Sequence, residues 1–254
     1  MTGDGQQPRL QVFGMTIMFG GIRALDDISF KVLPKQIVGI IGPNGAGKTT
    51  AFNVITGAYR PSKGEVRLDG QTVTRKPSHL IARAGISRTF QNIRLFGDLT
   101  VWEHLLVAQP HNQLPLRRLL PMRWANPQAL RRAEEVLEFL KLQEVKDRVA
   151  RSLPYGLQRR VEMARAITAR PKLLLLDEPV AGMNHDEAED IRRLMLNLRD
   201  GGLSILLIEH DIAFVMNLCD YLYVLDFGRM IARGRPDEIR SNPTVLDAYL
   251  GHVT

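Results

Sequence analysis

Short runs of Ile, Val and Leu alternate with segments of helical period along most of this chain. Continuous apolar runs bounded by turn residues are typical of strands that are buried on both faces of a sheet. Three such runs predict strands at Ile37–Gly42, Leu173–Asp177 and Leu203–Ile208. A helix is predicted between the last two, from about Asp186 to Arg199, because acids occupy its first turn and Gly201-Gly202 follows it. This order of elements predicts an α/β fold, with a largely parallel sheet flanked by helices.

Two parts of the chain depart from that order. The stretch from Leu10 to Val32 predicts antiparallel strands, and so does Glu65–Leu68. From about residue 92 to residue 152 the sequence shows no convincing strand, and a helix is predicted to begin at Asn126-Pro127 after an irregular or broken stretch. We therefore predict an α/β core with an antiparallel β subdomain, formed by residues 1–91 and 153–254, and a helical subdomain inserted at residues 92–152.

Composition narrows the class of protein. With 44% apolar and 24% charged residues among 254, the chain has globular composition, which excludes a disordered chain or a fibre. A net charge of +7 is too modest to establish a nucleic-acid binder. The single cysteine, Cys219, allows no intrachain disulfide and favours a reducing cytoplasm. The polar first residues predict no secretory leader, and no apolar run approaches the ~20 residues that span a bilayer.

The clearest chemical motif follows the first predicted strand. It consists of Gly42, Pro43, Asn44, Gly45, Ala46, Gly47, Lys48 and Thr49, with Thr50 directly after it. Glycines let backbone N–H groups turn around an anion, and the helix predicted to begin near Gly47 points its positive end at the phosphates. Lys48 supplies a charge for the β and γ phosphates, and the Thr49 hydroxyl is a candidate Mg²⁺ ligand. A glycine-rich turn that binds nothing is the alternative, but the complete match after a strand favours nucleoside triphosphate binding.

Two carboxylates, Asp177 and Glu178, end the predicted strand that begins at Leu173. Open α/β sheets bind ligands at the carboxyl ends of their strands. Asp177 is the candidate Mg²⁺ ligand, and Glu178 is the candidate base that polarises the water attacking the γ phosphate. In isolation an acidic pair after a strand is more often a helix cap. The phosphate loop elsewhere in the chain favours the catalytic interpretation.

Four further segments occur in a recognisable order. They are Gln91 in Thr-Phe-Gln-Asn, Leu153-Pro-Tyr-Gly-Leu-Gln-Arg-Arg, Ala181-Gly-Met-Asn184 and Glu209-His210-Asp211. Together with the phosphate loop and the carboxylates they resemble the nucleotide-binding subunit of an ATP-binding-cassette (ABC) transporter, over essentially the whole chain.

The resemblance implies roles for these residues. Phe19 is similar to the aromatic on which adenine stacks, and Gln91 to the lid-loop glutamine that meets Mg²⁺ and the attacking water. Tyr155 and Gly156 resemble the core of the signature loop, which contacts the ATP of the opposite subunit. Asn184 lies in the loop that crosses the dimer interface, and His210 resembles the switch histidine at the γ phosphate.

Three of these residues also have structural interpretations. Phe19 also suits the core of an edge strand, although its spacing from the phosphate loop favours the stacking role. A lone glutamine such as Gln91 is usually a solvated loop residue. His210 is compatible with an ordinary loop position, although the end of a strand on the catalytic edge favours a function.

The signature segment, Leu153–Leu157, departs from the family's Leu-Ser-Gly-Gly-Gln. Pro154 stands in place of the serine and has neither a hydroxyl nor an N–H to offer a phosphate, and Leu157 stands in place of the glutamine. The departure implies one strong and one weak ATP site if the partner subunit is different, so we expect a heterodimer.

Within the family, the fullest resemblance is to LivG-type ATPases of branched-chain amino-acid importers. It is carried by Arg88–Phe96, Leu99–Ala108, Tyr155-Gly156 with Arg159-Arg160, Ala181–Asn184 and Asn242–Gly251. It implies Mg²⁺-dependent ATP hydrolysis that powers an importer of branched-chain or other amino acids, by a peripheral subunit at the cytoplasmic face of the bacterial inner membrane. The implied partners are a second related ATPase, two membrane-spanning permease subunits and, indirectly, a periplasmic substrate-binding protein, with no nucleic acid. Two alternatives stay open: a soluble ABC ATPase acting on nucleic acid or ribosomes, and a binding-only subunit with a degenerate composite site.

Overall fold

The computed structural model describes residues 6–109 and 127–250 of the chain. The chain is divided into two compact units. The first consists of Met1–Arg88 and Lys172–Thr254, and the second consists of Thr89–Pro171. The second unit extends beyond the predicted insert of residues 92–152, because the helix at Tyr155–Thr168 packs against the other helices of that unit. Most of the irregular stretch predicted before Pro127, and Gly251 of the C-terminal resemblance, lie outside the described residues.

The first unit contains a six-stranded sheet. Its strands in spatial order are β10 (Arg229–Gly234), β9 (Tyr221–Asp226), β3 (Ile37–Ile41), β8 (Ser204–Ile208), β7 (Leu173–Asp177) and β6 (Ile86–Arg88). All neighbours are parallel except the β9–β10 hairpin. Every residue of β3, β7 and β8 is buried, as expected for parallel strands that are covered on both faces. The three predicted buried strands are confirmed, with the third beginning at Ser204 rather than at Leu203.

A second, antiparallel sheet in this unit confirms the other predicted strands. Its order is β2 (Ile22–Val32), β1 (Leu10–Phe19), β4 (Lys63–Leu68) and β5 (Gln71–Thr72). The inward-facing residues of β1 and β2 share one apolar core with β3 and with the first helix, α1 (Lys48–Ile55). Phe52 and Ile55 of α1 are fully buried there. This shared core holds the start of α1 against both sheets.

The remaining helices of the first unit connect or follow the strands. They are α2 (Ser78–Ala84), α6 (His185–Asp200), α7 (Ile212–Leu218), α8 (Pro236–Arg240) and α9 (Pro243–Leu250). The predicted helix between β7 and β8 is therefore α6. It ends as predicted before Gly201-Gly202, where Gly202 adopts a left-handed φ of 104°.

The second unit is helical. Its described helices are α3 (Val101–Val107), α4 (Pro127–Phe139) and α5 (Tyr155–Thr168), with short 3₁₀ turns at Gln143–Val145 and Ala150–Ser152. In the described part of residues 92–152, the only β pairing is an isolated bridge between Thr100 and Val149, so the predicted lack of strands holds there. Within the described ranges of both units, no helix combines the length and apolar character needed to cross a bilayer.

Candidate functional site

The predicted phosphate loop lies between the end of β3 and the start of α1. Gly42 has a φ of 148°, and a Cβ there would lie 2.0 Å from the carbonyl oxygen of Leu225. Gly47 has a φ of 99° and is the N-cap of α1, with Ala24 O 2.7 Å from the position of a Cβ. Glycine is required at both positions because backbone approaches too closely for a side chain. The loop is thereby wedged between β2 and the β9–β10 hairpin, with the N-terminus of α1 at its end.

Lys48 is buried inside this loop. Its Nζ donates hydrogen bonds to the carbonyl oxygens of Gly42 at 2.7 Å and Pro43 at 2.8 Å. Burial lowers the pKa of the Lys48 ammonium, while the charges of Glu178 and Asp177 oppose that shift. An ammonium group has three donors, so two bonds to the loop leave capacity for an anion. A partly desolvated cation beside a helix N-terminus is suited to binding phosphate.

Asp177, the last residue of β7, is held by a buried arginine. Arg88 at the end of β6 donates from Nη2 to Asp177 Oδ2 at 2.7 Å, and the two side chains are only 7% and 4% exposed. Nη1 of the same arginine donates to Asn53 Oδ1 on α1 at 2.7 Å, and the guanidinium lies over the Phe52 ring, 5.4 Å from its centroid. Arg88 thus joins the carboxylate at the sheet edge to the helix that follows the phosphate loop.

Glu178 follows Asp177 in a left-handed conformation, with a φ of 49°. Such a φ is uncommon outside glycine and occurs at functional sites, where the surrounding structure stabilises it. Here the Glu178 N–H donates to Ile208 O at 2.9 Å. The turn directs the Glu178 carboxylate towards the end of β8, where its Oε2 lies 3.8 Å from Nδ1 of His210. The structure therefore brings together the predicted base and the predicted switch histidine.

A buried carboxylate, Glu209, supports this pair. Its side chain is fully buried and accepts hydrogen bonds from the backbone N–H groups of Val180 at 3.1 Å and His210 at 2.9 Å. Burial raises the pKa of Glu209, and these amide donors oppose the rise. Glu209 therefore links the turn after Glu178 to the backbone of His210, whose own ring is 62% exposed.

The donor chemistry at this edge fits a magnesium ion held together with a nucleotide. Asp177 provides a carboxylate, and Thr49 lies exposed in the first turn of α1. Across the described residues, no group of three His, Cys, Asp or Glu side chains is arranged to hold a metal ion. Mg²⁺ characteristically takes one or two protein carboxylates and completes its shell with phosphate oxygens and water. The residues present are thus compatible with a metal that arrives with its nucleotide.

Phe19, the predicted adenine platform, ends β1 and is 45% exposed. Its ring meets that of Tyr59 edge to face, with 5.1 Å between centroids. Asn184, predicted in the loop after Glu178, is the N-cap of α6. Its Oδ1 accepts from Glu187 N at 2.9 Å, and its own N–H donates to Glu187 Oε2 at 3.0 Å, a capping box. The Phe19 ring is thus partly exposed to solvent. Asn184 caps the N-terminus of α6, in addition to the interface role that the resemblance implies.

Gln91, Tyr155 and Gly156 lie in the second unit. Pro154 is the N-cap of α5, and no side-chain hydrogen bond from it caps the helix. Tyr155 begins α5 and is 46% exposed. Arg159, one turn further along α5, donates to the Tyr155 hydroxyl at 3.1 Å and also to the carbonyl oxygen of Gln91. The signature segment and the lid-loop glutamine are therefore connected inside one unit.

Sequence reasoning assigned no role to three of these contributors, Arg88, Arg159 and Glu209, although all three lie in segments that resemble the family. Each is buried although its type is mostly exposed in proteins. A signal for Arg88 was its place three residues before Gln91, and one for Glu209 was its place directly after a buried strand. Neither position predicts the distant partners, which are Asp177 for Arg88 and the N–H of Val180 for Glu209, because they come from other parts of the chain.

Comparisons with known proteins identify the family of this chain. A family model described as ABC transporter matches residues 25–181, and one described as branched-chain amino acid ATP-binding cassette transporter matches residues 229–253. The chain is 46% identical to the high-affinity branched-chain amino acid transport ATP-binding protein BraF of Pseudomonas aeruginosa, covering 97% of this chain and 99% of that protein. It is 45% identical to LivG of Escherichia coli K12, a protein of the same description, with the same two coverages.

Solved structures give the same result. An ATP-binding cassette of an ABC transporter in its ADP conformation superposes with a TM-score of 0.86 and 36% identity, covering 96% of this chain and 99% of that one. A nucleotide-free ATP-binding cassette superposes with a TM-score of 0.84 and 35% identity, covering 95% and 98%. The predicted α/β ABC ATPase fold is thereby confirmed. This chain belongs to the ABC transporter family, as one of its ATP-binding, ATP-hydrolysing subunits.

Proposed function

We propose that this chain powers a membrane importer for branched-chain amino acids, working at the cytoplasmic face of the membrane against permease subunits. The observation that carries the cargo assignment is the near-full-length identity to two bacterial proteins named for branched-chain amino acid transport. The C-terminal family match supports it as well, because the model is described as a branched-chain amino acid ATP-binding cassette transporter and lies outside residues 25–181, which the general ABC transporter model matches.

The triphosphate binds in the loop Gly42–Thr49. Backbone N–H groups and Lys48 neutralise the phosphate charge, as in other loops of this kind. Mg²⁺, when bound, neutralises charge on the transferred phosphoryl group. Thr49, Asp177 and Gln91 are its proposed ligands. Arg88 orients the Asp177 carboxylate through its hydrogen bond to Oδ2.

Hydrolysis uses the pair at the ends of β7 and β8. Glu178 accepts the proton of the attacking water through its carboxylate, which the left-handed turn directs away from β7. His210 lies 3.8 Å from that carboxylate and stabilises the γ phosphate. Most of the rate enhancement comes from positioning and charge stabilisation rather than from covalent chemistry.

The working form is proposed to be a dimer of this chain with a second, related ATPase. Family members close two subunits around two ATP molecules, so that each signature segment serves the partner's nucleotide. Here Pro154 and Leu157 weaken the contact of this signature segment with the partner's nucleotide. This favours a partner whose own signature segment has the serine and the glutamine. Closure would then act on two permease subunits, which receive cargo from a periplasmic binding protein.

The proposal is tested with the chain purified from membranes together with its bound proteins and reconstituted into vesicles, to which the periplasmic binding protein is added. ATP-dependent uptake of radiolabelled leucine, isoleucine or valine is expected, with a permease and a second ATPase in the purified complex. Uptake of a different solute in the same vesicles would overturn the cargo assignment alone. A chain that purifies from membranes with no membrane subunit bound to it would overturn the proposed coupling to transport.

A further inference from the structure

A buried ion pair on α5 holds the backbone of the lid loop. Arg159 and Glu162 lie three residues apart on the helix, with Nη1 and Oε2 separated by 3.3 Å. Their side chains are 3% and 1% exposed. Charged residues are almost never buried to this degree unless they are paired and hydrogen-bonded. Burying such a pair costs desolvation free energy. The partners of its remaining donors and acceptors therefore indicate which part of the structure the pair holds in place.

Those donors and acceptors are directed at residues 90–94. Nη1 of Arg159 donates to the carbonyl oxygen of Phe90 at 2.7 Å, and Nη2 donates to that of Gln91. Oε1 of Glu162 accepts from the backbone N–H of Phe90 at 3.3 Å and, at the limit of a hydrogen bond, from that of Arg94 at 3.5 Å. The two side chains therefore hold both the donors and the acceptors of this loop.

The same guanidinium reaches the beginning of α5. Nε of Arg159 donates to the hydroxyl of Tyr155, and the guanidinium lies 5.4 Å from the centroid of the Tyr155 ring. One side chain thus contacts the lid loop and the signature segment at once. A planar, five-donor group can do this, whereas a lysine ammonium in the same place cannot span all three acceptors.

We infer that Arg159 and Glu162 are positioning residues for Gln91. They fix the lid-loop backbone to α5, so that Gln91 and the signature segment move as one piece when the helical unit moves. Burial raises the pKa of Glu162, and the amides of Phe90 and Arg94 with the charge of Arg159 oppose that rise, which is consistent with a carboxylate devoted to this loop. The inference rests on the proposed role of Gln91 in hydrolysis.

The test is a double-mutant cycle in the full-length chain. Arg159→Met with Glu162→Leu removes both charges together, so no buried charge is left unpaired. We expect kcat for ATP to fall about tenfold or more through misplacement of Gln91, with the equilibrium affinity for nucleotide unchanged. In a Gln91→Ala background the same pair of changes should lower kcat no further, because residues that act as a unit are not additive.

Hydrogen exchange gives a readout that does not depend on activity. The amides of Phe90 and Arg94 should exchange faster in the paired variant than in Arg131→Lys, a matched control on the exposed face of α4. Arg159→Lys should fold with its charge pair retained and lose kcat to a smaller extent, which keeps the test valid if the paired variant does not fold.

The outcomes separate the two proposals. If Gln91→Ala hydrolyses ATP at the wild-type rate, the proposed role of Gln91 fails and this inference fails with it. If Gln91→Ala is impaired but the paired variant either retains wild-type kcat or loses the same factor in both backgrounds, only the inference is overturned. Unchanged exchange at Phe90 and Arg94 would also overturn it.

Discussion

Arg88 and Asp177 form a buried ion pair, with 2.7 Å between Nη2 and Oδ2, that ties the end of β6 to the end of β7. Arginine and aspartate lie 89 positions apart along the chain, yet their side chains are almost completely shielded from water. A buried charge pair adds little net stability compared with an apolar pair, but losing one partner leaves an uncompensated charge. The pair is therefore a point where the fold and the candidate metal site depend on each other.

Changing Arg88 to Met should destabilise the protein by about 3 kcal/mol, because the Asp177 carboxylate is left without its counter-charge. Urea unfolding of wild type and variant measures the difference. The matched control is Arg151→Met, which breaks an ion pair with Asp98 whose side chains are 72% and 86% exposed and should cost less than about 1 kcal/mol. Equal losses in the two variants would contradict the role given to burial.

Changing Glu178 to Gln should leave ATP binding nearly intact while abolishing turnover, because the amide keeps the shape of the side chain but does not accept a proton. Nucleotide titration and steady-state ATPase assays separate the two effects. Glu138→Gln, at an exposed position of α4, is a control of the same chemistry outside the candidate site. A Glu178→Gln protein that turns over ATP at the wild-type rate would remove Glu178 from the mechanism.

Changing Lys48 to Ala should weaken nucleotide binding by about tenfold to a hundredfold, the loss expected for a charge-assisted hydrogen bond in a partly buried site. Equilibrium binding of a fluorescent ATP analogue provides the measurement. Lys146→Ala, at an exposed position, should bind as wild type. Unchanged affinity in Lys48→Ala would argue against the phosphate-cradle assignment.

Two glycines of the phosphate loop should differ in their tolerance of alanine. At Gly42 a Cβ would meet Leu225 O at 2.0 Å, whereas at Gly45, with a φ of 82°, no atom lies within 4 Å of the Cβ position. Gly45→Ala should therefore cost only the left-handed strain, ~1 kcal/mol, while Gly42→Ala costs that clash with backbone as well. Thermal unfolding without nucleotide, where phosphate contacts play no part, would reveal the difference, and equal midpoints would refute it.

Glu209 should make stability depend on pH. Its pKa in the folded chain lies above the ordinary value of 4.5, so the folded state binds the proton more tightly than the unfolded state. The free energy of unfolding contributed by this group is therefore greatest below 4.5 and falls as the pH rises through the interval up to the folded pKa. Glu209→Gln does not titrate, and its amide group places a donor against one of the backbone N–H groups.

The measurement for Glu209 is urea unfolding of wild type and Glu209→Gln at several pH values from about 4 to 8. The advantage of wild type over the variant should shrink as the pH rises, which isolates this carboxyl from all other titrating groups. A difference that is constant with pH, or that grows, would contradict the sign of the shift.

Much of the fold followed from local signals. The buried strands at Ile37 and Leu173, the helix after Asn184 and the glycine-rich loop are each set by residues adjacent in the chain, so composition and period suffice to predict them. The boundary of the helical unit did not follow, because α5 was assigned to the core from its place after the signature segment. Its packing against α3 and α4 is a tertiary property that no local pattern encodes.

The candidate site divides in the same way. Lys48, Asp177, Glu178 and His210 were identifiable because motif and strand end specify them locally. Their supporting residues were not, since Arg88, Arg159 and Glu209 acquire their roles only when distant backbone and side chains converge on a buried charge. The order of residues in the chain thus specifies which groups are proposed to do the chemistry. The tertiary structure decides which groups hold them in place. A buried charge requires a hydrogen-bonded partner, and packing determines which groups lie close enough to be that partner.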